Sequence, residues 1–279
     1  MNHKPKPKFT KWDFLVAFGC LVFVLANLGA VGSGGRRQAK EAVCLSNLQR
    51  WGVAWHAFLI DNGSLTPQNL SWWPYLWPYF KNEKLLLCPE AARPSRPLWS
   101  DPYVMGAKFN ASAEWYDYDE ITWESVPPPG KHYLLSYGYN YWISRNTASV
   151  RAGKLPDGTW KLWGFFPLGA KNAERAPVLV DSAAGGATTL PSDEPPTYDG
   201  EPYYGGTNKN EIRNFCVNRH NGAVNVLFLD FSARKVGLKG LWYLWWHRGW
   251  PIPSQMPPPS DWDNPDHWMY NFKNYGEIP

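Results

Sequence analysis

Residues 14–31 read FLVAFGCLVFVLANLGAV, an uncharged apolar run between a Lys-rich leader and the stretch Gly32-Ser33-Gly34-Gly35. At about 1.5 Å per residue, ~18 helical residues extend ~27 Å, close to a bilayer's hydrocarbon thickness, so the run predicts one transmembrane helix. Lys4, Lys6, Lys8 and Lys11 precede it and Arg36, Arg37 and Lys40 follow it. That small excess orients the N-terminus inward, with roughly 245 residues outside. A secretory signal peptide shares the basic start but has a shorter apolar core; small residues at 32–35 leave cleavage there as the alternative.

From Arg36 to about Ile60 the chain reads as an amphipathic helix. Ala39, Val43, Leu45, Leu48, Gly52, Trp55 and Leu59 recur near three-to-four spacing, with Arg37, Lys40, Glu41, Gln49 and Arg50 between them. Asp61-Asn62-Gly63-Ser64 is a stop signal. The glycines at 32–35 predict a melted hinge between two helical segments of one stalk.

Several strings then occur in a telling order. They are Cys44-Leu45-Ser46-Asn47-Leu48, Trp77-Pro78-Tyr79-Phe80-Lys81-Asn82, Leu87-Cys88-Pro89, Ser136-Tyr137-Gly138-Tyr139-Asn140 and Ala176-Pro177-Val178-Leu179-Val180-Asp181. Last comes Arg219-His220-Asn221-Gly222 through Asp230, with nine residues between His220 and Asp230. Together they resemble bacterial prepilin-like proteins with a C-terminal H-x9-D-G motif, a pseudopilin-type group related to type IV pilins and type II secretion pseudopilins. The resemblance implies a pilin-like α+β fold: a long transmembrane-plus-stalk helix on a head with a small antiparallel sheet and long loops.

The departures from that pattern carry expectations of their own. In the family a peptidase cuts after a Gly and the following Phe is N-methylated; here Lys8 precedes Phe9, so the leader is expected to be retained or trimmed otherwise. Asp13 stands where the family has Glu, a residue implied to pair with a neighbouring subunit's amino terminus. Asp13 could instead rest in the headgroup zone beside Lys11. Phe231 replaces the motif's Gly, and because Phe is strained at positive φ the hairpin turn is expected to change type. His220 and Asp230 are expected to form a hydrogen-bonded structural pair; as metal ligands they lack a third partner at set spacing.

Of the four cysteines, Cys20 lies in the apolar run, leaving Cys44, Cys88 and Cys216. The resemblance favours a Cys44–Cys88 disulfide, tying stalk to head, with free buried thiols as the alternative. Cys216, His220 and Asp230 could suggest a nucleophilic triad, but no nucleophile turn surrounds them, and no enzyme activity is expected. Glu114, Asp117, Asp119 and Glu120 could hold calcium and read more simply as a solvated acidic loop. No other cofactor is expected. Most of the net charge of +4 sits in the leader, so no nucleic-acid footprint is present.

The domain plan is a leader (1–13), transmembrane helix (14–31), hinge (32–35), stalk (36–60), head (61–249) and Pro-rich tail (250–279). Strands are expected at Tyr133–Ile143, Pro177–Asp181, Val224–Leu229 and Ser232–Val236, with a short helix or turn at Ser71–Phe80. The 18 Trp and 15 Tyr suggest a core plus subunit contacts, or rings stacking on sugars. The expected function is a structural subunit of a type IV pilus-like or type II secretion-like filament. Its partners would be further copies, other pilin-like subunits and membrane lipid, with the head outside an inner-membrane anchor. A membrane-anchored monomeric surface binding module, for example for polysaccharide, is the alternative.

Overall fold

The computed structural model describes residues 10–30, 33–63, 72–94, 103–104, 106, 110–116, 130–143, 152–154, 160–162, 172–201, 210–251 and 264–272. The chain divides into two compact units, Met1–Ala39 and Lys40–Pro279.

The first unit contains α1 (Lys11–Ala30), which opens on a reciprocal cap. Asp13 Oδ2 accepts from the backbone N and the hydroxyl of Thr10, both at 2.8 Å, while Asp13 N donates back to Thr10 Oγ1 at 3.3 Å. This capping box satisfies donors that the first helical turn otherwise leaves open. The bonds from Thr10 hold the Asp13 carboxyl below its ordinary range. Lys8 and Phe9 lie outside the described residues.

The single transmembrane-plus-stalk rod is not seen. A second helix, α2 (Ser33–Asn62), begins inside the supposed hinge, with Ser33, Gly34 and Gly35 already helical. Among the described residues no helix is long and apolar enough to cross a membrane. Helix α1 has Lys11 and Asp13 in its first turn and ends at Ala30, so its uncharged part is at the short end of what a span needs. Helix α2 carries Arg36, Arg37, Lys40, Glu41, Arg50 and Asp61. The expected inner-membrane anchor therefore has no support.

In the second unit, α2 turns a regular stripe inward: Cys44, Leu48, Trp51, Trp55, Phe58 and Leu59 are buried at three-to-four spacing. The stripe is rotated from the expected one, for Val43 is exposed and Trp51 is wholly buried. A short helix, α3 (Trp73–Phe80), brings Trp72, Trp73 and Leu76 against it. The rings pack edge-on, with Trp51 centred 4.9 Å from Trp72 and 4.3 Å from Phe80.

Among the described residues ten strands follow: β1 (Tyr103–Val104), β2 (Ser112–Tyr116), β3 (Lys131–Leu135), β4 (Tyr137–Asn140), β5 (Ala152–Lys154), β6 (Trp160–Leu162), β7 (Pro177–Asp181), β8 (Gly186–Ala187), β9 (Ala223–Phe228) and β10 (Ala233–Gly237). The main sheet has the order β10-β9-β7-β4-β8, with β4 and β8 parallel and the other pairs antiparallel. The expected small antiparallel sheet is thus a mixed one, a second correction to the pilin-like fold. Its physical basis is close approach: a Cβ on Gly186 would lie 2.5 Å from Tyr139 O, and one on Gly138 would lie 2.6 Å from Ser182 Oγ. Only glycine lets β8 fold back beside β4 here. The strand expected over Tyr133–Ile143 is divided at Ser136, β3 joining β2 in a separate sheet.

Both faces of the main sheet are covered. Leu179, Leu227 and Leu229 face α2 and α3; Val180, Val224, Val226 and Phe228 face Trp142, Phe215, Trp242, Trp246 and Met269. The Pro-rich tail contributes to that second core through Trp250 and Met269, with Trp268 Nε1 donating to Pro196 O at 2.7 Å. At the β9–β10 corner, Phe231 takes up the φ of 64° that the motif's Gly would supply. The left-handed backbone at this corner is thus adopted by Phe itself, against the expected change of turn, with Asp230 Oδ1 accepting from Ser232 N at 2.9 Å.

Candidate functional site

Four polar side chains meet where α2 crosses the main sheet. Cys44 lies on the inward stripe of α2, and Asp181 ends the central strand β7. Cys88 follows the 3-10 turn Glu83–Leu86, which is pinned to α2 by Trp51 Nε1 to Leu85 O at 2.7 Å and Asn47 Nδ2 to Leu87 O at 3.0 Å. His220 sits in the loop before β9, with its backbone N donating to Ala223 O at 3.1 Å. Asn221 and Gly222 turn that loop at positive φ.

Cys44 Sγ is 3.5 Å from Asp181 Oδ1, Cys88 Sγ is 3.6 Å from His220 Nε2, and His220 Nε2 is 3.0 Å from Asp181 Oδ2. One donor atom from each of the four lies within 4.8 Å of the others. Around them, Asn225 N donates to Asp181 Oδ2 at 2.8 Å and Tyr137 OH reaches Cys44 Sγ at 3.4 Å. Arg219 places Nη1 3.7 Å from Asp181 Oδ1 and donates to Ser136 O at 2.7 Å and Ser182 O at 2.8 Å. Its guanidinium thereby ties β3–β4 to the end of β7.

Charge in so dry a place needs partners. Burial pushes the Asp181 carboxyl up, but the hydrogen bond from His220, the charges of His220 and Arg219 and the Asn225 amide outweigh it, and the group is held below its ordinary range. Burial pushes His220 down; its bonds to Asp181 and Cys88 reverse this and bring it to about 10. Burial raises Cys44 well above an ordinary thiol, and Cys88 and Asp181 add to the rise. Burial also opposes the Cys88 thiolate, but Cys44, His220 and Arg219 favour it and hold Cys88 at about 7.

Cys44, Cys88 and Asp181 are fully buried and His220 is 3% exposed, so the cluster lies out of solvent. Such a set can neutralise its own charges or hold an ion; Cys, His and carboxylate donors are those of zinc sites. The expected pairing of His220 with Asp230 is not formed. Asp230 is exposed and bonds Ser232, while His220 turns to Asp181. Cys44 and Cys88 lie side by side as free thiols, and the disulfide that the resemblance implied is not made. Cys216 packs in the other core, 3.8 Å from Met269 Sδ, so Cys216, His220 and Asp230 form no triad. Asp117, Asp119 and Glu120 lie outside the described residues, and of Glu114 only the strand position is described.

Asp181 and Arg219 are the members that sequence reading did not single out. A signal existed: Cys44, Cys88, Asp181 and His220 each lie in one of the ordered strings quoted above, and the strings converge here. Comparison with known protein families, with characterised proteins and with solved structures finds no match to this chain.

Proposed function

We propose that the chain is a structural subunit of an extracytoplasmic filament of the type IV pilus or type II secretion kind, joined to its neighbours through α1. The observation that carries this is the exposure of α1 on every side. Phe14 is 73% exposed, Leu15 57%, Val16 64% and Phe23 71%, although these residues point in different directions around the helix. A helix apolar all round is stable only when covered, each buried Å² contributing about 25 cal/mol. Copies of α1 packed side by side would cover one another. The ordered strings shared with prepilin-like proteins support the same reading from sequence. Stacking of exposed rings on sugars finds less support, because the large fully buried side chains include Trp51, Trp55, Trp72, Trp73, Trp242 and Trp246.

The test is Leu21→Asp. Electron microscopy and sedimentation of sheared surface material should show loss of filaments, with the circular dichroism and melting of the second unit unchanged. Normal filament yield from this variant would overturn the reading.

A further inference from the structure

We propose that Cys44, Cys88, Asp181 and His220 form a structural zinc site. The first argument is metric. With Zn–S of about 2.3 Å and Zn–N and Zn–O of about 2.0–2.1 Å, a tetrahedron has edges of about 3.5–3.6 Å from sulfur to nitrogen or oxygen and about 3.3 Å from nitrogen to oxygen. Taken to one carboxylate oxygen, Asp181 Oδ2, the corresponding separations are 3.6 Å from Cys44 and 3.0 Å from His220, and Cys88 to His220 is 3.6 Å. Three of the six edges between donors from four separate segments are thus close to those of such a figure, and the other three stay within 4.8 Å.

The second argument is charge. A zinc ion with two thiolates, one carboxylate and a neutral imidazole carries one net negative charge, and the guanidinium of Arg219, buried beside Asp181, cancels it. Asn225 completes the surround, its backbone N bonded to Asp181 Oδ2. Outer contacts of this type orient ligands and retain the metal. The third argument is closure: with four protein ligands, all of them buried, the ion has no open position, which defines a structural and not a catalytic zinc. It would join α2, the Cys88 loop, β7 and the loop before β9 at one point.

Full-length protein purified without chelator should contain about one zinc per chain by elemental analysis. After chelation and refilling with Co²⁺ alone, it should show the intense ligand-field bands of a tetrahedral ion and a thiolate-to-cobalt charge-transfer band. Cys88→Ser and His220→Ala should each lower bound zinc at least about tenfold, the scale on which weakened coordination is felt. Cys216→Ser, in the other core, should leave content and spectrum unchanged. Should the ligand variants fail to fold, the wild-type cobalt spectrum decides alone. Absence of a charge-transfer band, or a Cys44–Cys88 disulfide in peptide maps of the non-reduced protein, would overturn the site.

Discussion

His220 Nε2 lies 3.0 Å from Asp181 Oδ2, so the histidine that precedes β9 is tied to the end of the neighbouring strand β7 and not to Asp230 beyond the end of its own. The pairing makes Asp181 the electrostatic hub of the second unit. Its carboxylate faces His220, Arg219, Cys44 and the Asn225 amide at once. Removing one partner from such a group costs more than the pair contributes, because the rest stay buried without compensation.

Asp181→Asn is therefore expected to destabilise the second unit by about 3–5 kcal/mol, since it removes the charge that faces the buried His220 and Arg219. Asp230→Ala removes only exposed bonds to Ser232 and should cost about 1 kcal/mol or less. Urea denaturation of the two variants measures the contrast. Equal losses would show that Asp181 is not the hub.

How much of this was legible in the sequence differs by element. Strands β7, β9 and β10 were read to within a residue or so, because β7 is a short apolar run closed by Asp181 and the β9–β10 hairpin alternates around a short corner. The break at Ser136 was not legible: Tyr133 to Ile143 is uniformly strand-like, and what divides it is a tertiary bond, Ser136 N to Leu86 O at 2.9 Å. The inward face of α2 was misjudged because Trp51 and Val43 are both apolar, and only packing against Trp72 and Phe80 selects Trp51. For the site, His220 was singled out but its partner was not. Spacing along the chain favours Asp230, whereas Asp181 is adjacent only once β7 and β9 pair.

Gly52 faces the hairpin turn. A Cβ there would stand 3.0 Å from Phe231 O and 3.1 Å from Leu227 Cδ1. Phe231 is held at φ 64° with its N bonded to Phe228 O at 2.9 Å, so its carbonyl has little freedom to retreat. Ala would gain about 1 kcal/mol of helix propensity against about 1–3 kcal/mol of overpacking. Gly52→Ala is expected to lower the melting temperature, and a clear rise would show that the turn yields.

Val43 is half exposed on α2, pointing away from the buried stripe. Val43→Asp places a charge where the second unit has no need of an apolar side chain, so stability should change by less than about 0.5 kcal/mol. If the start of α2 joins α1 in subunit contacts, filament yield should fall sharply in electron micrographs. A large loss of stability without loss of filaments would contradict the position assigned to Val43.

His247 supplies a pH dependence with a definite sign. Its ring is wholly buried between Trp142, 4.8 Å away, and Trp250, 5.2 Å away, and Nδ1 accepts from Gly249 N at 3.0 Å. A proton on Nδ1 would break that bond and place a charge among indoles; burial accordingly pushes the group down to about 3. In the unfolded chain the same ring titrates near ~6.5. The folded pKa is the lower one, so the contribution is fully present above about pH 6.5 and is lost progressively as pH falls toward about 3. At about 1.36 kcal/mol per pH unit the loss reaches about 2 kcal/mol by pH 5. His247→Gln keeps an acceptor for Gly249 N and removes the titration. The free energy of unfolding, measured from pH 7 to pH 5, should therefore fall more steeply for the wild type than for the variant. Parallel slopes, or a His247 ring whose NMR shifts report protonation near pH 6 in the folded protein, would refute the assignment.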